Sequence, residues 1–406
     1  MADVFLHVGL YKTGTTTVQG ALTATAGQLA SAGVLYPADR RAQRLAAYDL
    51  LGQRVEGDER GEAAGALRRL LDLVDAYDGR AVVVSEEELS LARRRQARRL
   101  VRLLDGHEVF VVVGARDIAR TLVSAWQQTI VNGGSTPWRE FIASVRGEDG
   151  APPSEGLSFH WRHDLLRVVD TWSSVLPPDR VRLVTVPAPG TPASALLTRF
   201  AEAADLPAGW PGPHSVVRNV SLGCAELEVV RRLNEAVGGR LTNVQQRFVI
   251  EAGIRSRLAG ATARPLRLPA EHVAWARAYG EDLVAELDRR AVRVHGDLAD
   301  LVPTAAPEPG PDLDDVGDDE LLAATQAALA SLALDHARLF RRYRRAFREK
   351  EGRLPGAVEV LGSQVRAGGF LLRKKAVHHA DRHPFVARVA RTYLDRTSPS
   401  SRLPRD

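Results

Sequence analysis

The first half of the chain alternates short apolar runs with segments of helical periodicity. The apolar runs predict four buried strands, at Asp3–Val8, Ala81–Val84, Glu108–Val113 and Val181–Val186. Apolar residues recur at helical spacing in the segments between and after them: Thr16–Ala32, Glu62–Tyr77, Leu91–Leu104, Asp117–Val131, Leu165–Leu176 and Ser194–Ala204. This alternation predicts an α/β fold with a mostly parallel sheet flanked by helices. Ligands bind such sheets beyond the carboxyl ends of the strands, in this chain after Gly9, Ser85 and Gly114.

The second half of the chain follows a different pattern. Residues 222–301 are mainly helical in pattern, with a last strand expected at Ala291–His295. Residues 303–319 combine prolines and acids without Lys or Arg, which is typical of a linker. One long helix is expected at Glu320–Glu351 and a second basic helical stretch at Gly369–Thr397. The expected organisation is a large α/β domain at 1–302, an acidic proline-rich linker at 303–319 and a basic helical tail at 320–406.

Composition narrows the class of protein. Hydrophobic residues make up 45% and charged residues 26% of the 406 positions, as in globular proteins. The single cysteine, Cys224, excludes an intrachain disulfide framework and a four-cysteine zinc site. The first residues lack a basic region followed by a long apolar run, so no signal peptide is predicted. These features predict a cytoplasmic protein.

The positive charge is concentrated in the tail. The net charge is +5, but residues 336–406 hold 18 Lys/Arg and 6 Asp/Glu, so the remainder of the chain is net acidic. Phe340–Phe347 mixes aromatic residues with arginines, a pattern that suits an anionic membrane, a nucleic acid, an acidic protein or self-association. A solvated helix is the simplest interpretation of such a charge run.

A loop with the chemistry of an anion cradle follows the first strand. Gly9 and Gly14 let the backbone curl between the strand and a helix, and Lys12 adds a positive charge inside the turn. A nucleotide triphosphatase loop would place lysine directly after the second glycine, where this chain has Thr15. The loop also lacks the dinucleotide fingerprint. It therefore indicates a phosphate or sulfate site of another kind.

A second cluster follows the third predicted strand. Arg116 leaves the strand at its carboxyl end, and Ser124 lies two turns into the next helix. A guanidinium and a hydroxyl at this place suit a second phosphate, because arginine makes planar, charge-assisted bonds to its oxygens. An ion pair at the start of the helix, between Arg116 and Asp117, is the alternative interpretation.

The two clusters together resemble the 3′-phosphoadenylyl sulfate (PAPS)-dependent sulfotransferases, particularly their bacterial group with a Lys-Thr-Gly-Thr-Thr loop. Lys12–Thr16 resembles the 5′-phosphosulfate loop of that family, and Arg116 with Ser124 resembles its 3′-phosphate site. Further similarity lies at Gly33–Pro37, Ser85–Leu89 and Arg218–Leu222. The resemblance covers roughly residues 1–300.

This resemblance implies a P-loop-like sulfotransferase domain that transfers a sulfuryl group from PAPS to a carbohydrate or another small polar hydroxyl compound, and releases adenosine 3′,5′-bisphosphate. It implies no metal or redox cofactor. The PAPS-binding residues would be Lys12, Thr13, Gly14, Thr15, Thr16, Thr17, Arg116, Ser124 and Arg218. The family's cytosolic members carry Arg-Lys-Gly where this chain has Arg218-Asn-Val.

The general base is expected directly after the predicted strand Ala81–Val84. Glu87 fits the family's Ser-x-Glu-x-Leu pattern best, and Glu86 is close behind it; burial and acidic neighbours would raise the pKa of either carboxyl. All three glutamates at 86–88 equally suit the start of a helix. His7 is a further catalytic candidate, while His160 and His163, and Trp126 and Trp161, are candidates for the acceptor or adenine pocket.

Two rival functions remain open from the sequence. One is a P-loop kinase or another nucleotide-binding enzyme, and the other is a non-catalytic scaffold that acts through its basic tail. Binding of adenosine 3′,5′-bisphosphate would separate them from a sulfotransferase. The acceptor pocket is expected among two polar and irregular stretches, Arg40–Gly61 and Gly133–Ser158.

Overall fold

The computed structural model describes residues 2–53, 61–151, 153–192, 194–212, 222–255, 264–303, 313 and 316–350. The chain divides into two compact units, residues 1–333 and 334–406. The predicted site residue Arg218, most of the predicted linker and the predicted helix at Gly369–Thr397 lie outside the described residues. The domain boundaries at residues 302 and 319 stay predictions.

Val-rich segments build the centre of the fold. Within the described residues, six strands form one parallel sheet in the order β2-β3-β1-β4-β5-β6. The strands are β1 (Asp3–Gly9), β2 (Val34–Leu35), β3 (Ala81–Ser85), β4 (Glu108–Ala115), β5 (Val181–Thr185) and β6 (Arg293–His295). Strands covered on both faces are nearly continuously apolar, and β3 and the inner part of β4 have this composition. The predicted α/β fold with a parallel sheet is confirmed.

Helices flank the sheet and fill the connections between its strands. Their bounds are α1 (Thr15–Ala24), α2 (Ala26–Ser31), α3 (Arg40–Leu51), α4 (Ala66–Asp75), α5 (Arg94–Leu103), α6 (Ile118–Val131), α7 (Trp138–Arg146), α8 (Pro153–His163), α9 (Leu165–Ser173), α10 (Ser194–Ala203), α11 (Cys224–Val237), α12 (Asn243–Arg247), α13 (Ala270–Arg289) and α14 (Asp318–Lys350). A π-helix spans Phe248–Arg255, and short 3₁₀ helices span Glu87–Leu91, Pro178–Arg180 and Leu298–Leu301. The long helix expected at Glu320–Glu351 corresponds to α14.

The single helix expected at Thr16–Ala32 is wrong, because the chain forms two helices that meet at Thr25. The Thr25 hydroxyl donates to the carbonyl oxygen of Ala21 at 2.8 Å and accepts the indole N–H of Trp210 at 2.7 Å. Threonine side chains that bond the preceding turn bend helices. The break therefore comes with a tertiary contact to a residue 185 positions away in sequence.

As far as the structure describes them, the two stretches expected to be irregular, Arg40–Gly61 and Gly133–Ser158, are largely helical. The first contains α3 and the second contains α7 and most of α8. In α3 three arginines precede the buried apolar residues, and two of those four residues are alanines, which weakens the periodic signal. Packing of α3 on α4 supplies the stabilisation that its own sequence pattern does not indicate.

The strand order places three loops at one edge of the sheet. Strand β1 lies between β3 and β4, and all three run parallel. Their carboxyl ends therefore meet, and the loops that follow residues 9, 85 and 115 face one another. The next two strands of the chain, β2 and β3, lie on one side of β1, and the later strands lie on the other side. A crevice opens at such a reversal of strand order in parallel sheets.

No helix in the described part of the chain is both long and apolar enough to span a membrane.

Candidate active site

The loop after β1 reverses the chain through three residues with positive φ. Gly9, Lys12 and Gly14 have φ values of 81°, 66° and 85°, and α1 begins directly afterwards at Thr15. A side chain at position 9 would also meet Glu87, because a Cβ there would lie 3.0 Å from the Cβ of Glu87. Glycine at this position therefore allows both the turn and the close approach of the loop to the end of β3.

The inner amides of this loop have no acceptor. Within the part of the chain that the structure describes, the backbone N–H groups of residues 13–16 donate no hydrogen bond. Residues 15 and 16 are the first of α1, so these amides carry the positive end of the helix dipole. Unfilled amides at a helix start form an anion-binding site.

The threonine hydroxyls of the loop have different surroundings. Thr13 and Thr15 are buried, and both hydroxyls donate to the carbonyl oxygen of Leu10, at 2.6 and 3.4 Å. These two side chains brace the turn and leave their backbone amides to face a ligand. Thr16 is exposed and Thr17 half-buried in the first turn of α1.

Arg116 joins the loop to α6. One of its terminal nitrogens donates to the carbonyl oxygen of Lys12 at 3.1 Å and to the Ser124 hydroxyl at 3.2 Å. The ion pair anticipated between Arg116 and Asp117 does not form. Asp117 instead caps α6 by accepting the amide of Arg120 at 2.8 Å, and it also pairs with the Arg120 side chain.

The charge of Arg116 is poorly compensated. Burial and the nearby charge of Arg120 lower the pKa of its guanidinium to about 10, although Asp117 opposes the shift. No carboxylate among the described residues lies within 4.0 Å of it, and its shielded Nε atom has no hydrogen-bond acceptor. Burying a cation without an anionic partner is costly, so this position favours an anionic ligand.

The first glutamate after β3 is a capping residue. Glu86 is buried, and its carboxylate accepts the amide of Glu88 at 3.5 Å and lies 3.8 Å from Arg44. Burial and the neighbouring Glu87 raise the pKa of Glu86 to about 8, although Arg44 opposes the shift. Glu86 therefore acts as a helix-capping residue, which is the alternative to a catalytic base that the sequence left open for this segment.

The other two glutamates have distinct environments. Glu88 accepts the hydroxyls of Tyr11 at 2.6 Å and Tyr48 at 3.3 Å. Glu87 is half-buried, and among the described residues its carboxylate has no hydrogen-bond or ion-pair partner. Burial raises the pKa of Glu87, and the positive charge of Lys12 is among the effects that lower it. Of the three, Glu87 has the carboxylate that no described hydrogen bond or ion pair occupies.

His7 lies on the face of β1 that packs against α10. Its ring nitrogen Nδ1 is 2.7 Å from the Ser85 hydroxyl, and its ring meets Phe200 edge-on with centroids 5.0 Å apart. Only 3% of the residue is exposed, and burial lowers its pKa to about 4. His7 is therefore a neutral, enclosed group at pH 7.

A cleft of about 260 Å³ opens beside the loop. The Lys12 ammonium projects toward it and lies 3.4 Å from the amide oxygen of Gln128. His163 lines the same cleft, and burial lowers its pKa to about 3. Further lining residues come from α6, the loop after it, α7 and α8: Ala125, Thr129, Asn132, Gly134, Phe141, Glu155, Ser158, Phe159 and Arg162.

The remaining predicted pocket residues lie elsewhere. Trp126 is fully buried beside Trp138 and donates its indole N–H to the carbonyl oxygen of Thr136, so it is a core residue. His160 bonds the carbonyl oxygen of Val145 at 2.8 Å. Trp161 is 42% exposed and lies outside this cleft.

Comparison with solved structures finds a likeness to a known protein. The chain is similar to a sulfotransferase from Alicyclobacillus acidocaldarius, with a TM-score of 0.36 and 13% sequence identity over 62% of this chain and 96% of that chain. No protein-family model matches the sequence. No curated protein matches it either.

Several residues of the site escape prediction from sequence. Gln128 lies four residues after Ser124, so the two share a face of α6, and this spacing was the available signal. The contacts of Tyr11 and Tyr48 with Glu88 join segments up to 77 residues apart, and no local pattern indicates them. No group of three metal-ligating side chains occurs in the described ranges, and the expected absence of a metal stays a prediction.

Proposed function

We propose that the protein is a sulfotransferase that moves a sulfuryl group from PAPS to a hydroxyl of a carbohydrate or another small polar acceptor. The observation that carries the proposal is the position of Arg116. It bonds both the backbone of the Lys12 loop and the Ser124 side chain, so that two sequence motifs more than 100 residues apart form one cationic site.

The free groups of this site fit a nucleotide with two separate phosphate positions. The amides of residues 13–16 suit the oxygens of a 5′-phosphosulfate, since they need acceptors and lie at a helix start. The Arg116 guanidinium has an unfilled donor and, with Ser124, suits a 3′-phosphate. Arg218, which lies outside the described residues, remains a predicted contact to the nucleotide.

Lys12 is proposed to stabilise the charge that develops on the leaving phosphate oxygen. When bound, PAPS supplies an activated sulfuryl group, whose bond to that oxygen breaks as its bond to the acceptor oxygen forms. Donors that are fixed before the reaction stabilise such charge without reorganisation. Lys12 is held at positive φ by a braced loop, with its ammonium beside Gln128, which gives it this preorganisation.

Glu87 is proposed as the base that takes the proton of the acceptor hydroxyl. Its carboxylate is unpaired within the described chain, half-buried and near enough to Lys12 for their charges to interact. A raised pKa suits a general base that works near neutral pH. Glu86 and His7 are the alternatives, but Glu86 caps a helix and His7 is enclosed.

A transfer assay with labelled PAPS tests this proposal on a panel of hydroxyl acceptors. Lys12→Ala and Glu87→Gln are each expected to lower turnover at least about 100-fold, because each removes a group that acts in the transition state. The exposed Glu281→Gln serves as the matched control and should retain activity. Unchanged turnover in Lys12→Ala would refute the role of the loop.

Nucleotide binding distinguishes the rival functions. A sulfotransferase site should bind adenosine 3′,5′-bisphosphate without added magnesium, whereas a P-loop kinase should prefer magnesium-ATP. A scaffold that acts only through its tail should bind neither nucleotide at this site.

A further inference from the structure

A second concave surface lies beside the candidate active site. Its larger part, of about 770 Å³, runs along α5 and is lined by Arg93, Arg95, Arg98, Arg99 and Arg102. A smaller part of about 310 Å³ shares Leu51, Arg93 and Gln96 with it and ends at Trp161. We call these two connected parts the arginine groove.

Within the part of the chain that the structure describes, the arginine groove carries uncompensated positive charge. Arg95, Arg98, Arg99 and Arg102 are exposed, and none of them has a hydrogen bond or ion pair with another described residue. Among the described lining residues one is acidic, Asp49, whose carboxylate accepts the amide of Leu67 at 3.0 Å. Exposed arginines on most other helices of this unit pair with acids, as Arg68 does with Asp72. The unpaired row on α5 is therefore an anion-attracting surface.

Trp161 lies at the end of the groove that is nearer the active site. The guanidinium groups of Arg93 and Arg167 lie 5.8 and 4.7 Å from the centre of its ring. Trp161 belongs to α8, and the next two residues of that helix line the Lys12 cleft. One helix thus separates the groove from the cleft.

A second element links the groove to the proposed base. The 3₁₀ helix that begins at Glu87 ends at Leu91, which lines the groove beside Trp161. At about 2 Å of rise per residue, these two ends lie about 8 Å apart along the helix. A polymeric ligand bound in the groove would therefore place its next unit at the active site.

We infer that the arginine groove binds an acidic oligosaccharide, one that carries carboxylate or sulfate groups, and presents its end to the cleft. Repeated acidic groups along such a chain match a row of arginines along a helix, and guanidinium groups bind both carboxylate and sulfate oxygens. The identity of this chain as the sulfuryl acceptor rests on the proposed function, whereas its binding to the groove does not.

The aromatic content of the groove favours a glycan over a nucleic acid. Single-stranded nucleic acids are bound by aromatic rings on which successive bases stack. Among its described lining residues the groove has one aromatic side chain, Trp161, and two guanidinium groups already lie over that ring. The surface offers many charges and no series of stacking platforms.

Hydrogen–deuterium exchange of the full chain tests the inference, with a heparin hexasaccharide as the probe. This method locates binding along the sequence, so any binding by the basic tail is recorded separately from binding at the groove. We expect protection in peptides that cover residues 91–104 and 158–167. In the triple variant Arg95→Gln, Arg98→Gln, Arg99→Gln, half-maximal protection should require about tenfold more glycan, since three exposed ion pairs of ordinary strength together give such a factor.

Two further variants and a competitor make the test decisive. The triple variant Arg68→Gln, Arg277→Gln, Arg289→Gln removes the same charge from other exposed helices and should stay within about twofold of the parent. Lysine at the three groove positions should largely restore protection.

Protection confined to residues after 334, or an equal loss in the matched control, would overturn the assignment of the groove as a binding site. Stronger protection of residues 91–104 by a 20-nucleotide oligo-dT would overturn the glycan assignment. Since the readout is binding, it stays valid if no sulfuryl transfer is found.

Discussion

The buried carboxyl of Glu86 makes a prediction that can be worked through in full. Glu86 is 1% exposed and its pKa is raised to about 8 from 4.5, chiefly by burial. An acid whose pKa is higher in the folded than in the unfolded chain favours folding while it is protonated. That contribution is fully present below pH 4.5 and is lost as the pH rises toward 8. Glu86→Gln removes this titration and keeps an oxygen that can accept the amide of Glu88.

The magnitude follows from the interval between the two pKa values. Each pH unit in that interval changes the free energy of unfolding by about 1.4 kcal/mol for one group. Between pH 5 and pH 8, Glu86→Gln should therefore gain about 4 kcal/mol relative to the parent protein. All other titratable groups are common to both proteins, so the difference between the two unfolding free energies isolates the Glu86 carboxyl.

Urea unfolding followed by tryptophan fluorescence at half-unit steps from pH 5 to pH 9 measures this difference. The exposed Glu281→Gln is the control and should run parallel to the parent. If the Glu86→Gln and parent curves also stay parallel, Glu86 has an ordinary pKa in the folded protein. The ion pair with Arg44 would then outweigh burial, and the assignment of Glu86 as a protonated buried acid would be refuted.

Two further substitutions test the loop and the buried histidine. Gly114→Ala would place a Cβ 2.5 Å from the Thr13 hydroxyl oxygen, so the Thr13 side chain must shift and release the brace of the loop. We expect adenosine 3′,5′-bisphosphate to bind at least about tenfold more weakly by calorimetry, and unchanged affinity would contradict the close packing. The pKa of His7 is lowered to about 4, so the parent loses stability as pH falls from 6.5 to 4, by about 3 kcal/mol. His7→Gln should remove that loss in acid unfolding experiments, and an equally steep loss would show that His7 titrates normally.

Every described strand of the sheet except the two-residue β2 could be predicted, because a buried strand is recognisable from its local apolar sequence. β1, β3 and β4 are short apolar runs whose burial on both faces leaves a continuous hydrophobic signal. Parallel order then brings the loops after them together, so the meeting of Lys12 and Arg116 follows from topology. The helix break at Thr25 depends on a distant tryptophan, and no local pattern contains that information.

The roles of the acidic residues show where the sequence stops being informative. Glu86, Glu87 and Glu88 are chemically alike and adjacent. The structure separates them into a helix cap near Arg44, an unpaired half-buried carboxylate and an acceptor for two tyrosines. The tyrosines come from the loop after β1 and from α3, a helix whose own pattern was too weak to predict. Assigning a role to each glutamate therefore required the tertiary contacts.

The sulfo-nucleotide site itself is best tested by calorimetric titration of the full chain with adenosine 3′,5′-bisphosphate, without added magnesium. We expect binding by the parent and a loss of about 10- to 100-fold in Arg116→Gln, since a charge-assisted hydrogen bond contributes about 1.5–3 kcal/mol. The exposed Arg277→Gln should bind as the parent does. No binding by the parent, or equal affinity in Arg116→Gln, would contradict the assignment of this site to a sulfo nucleotide.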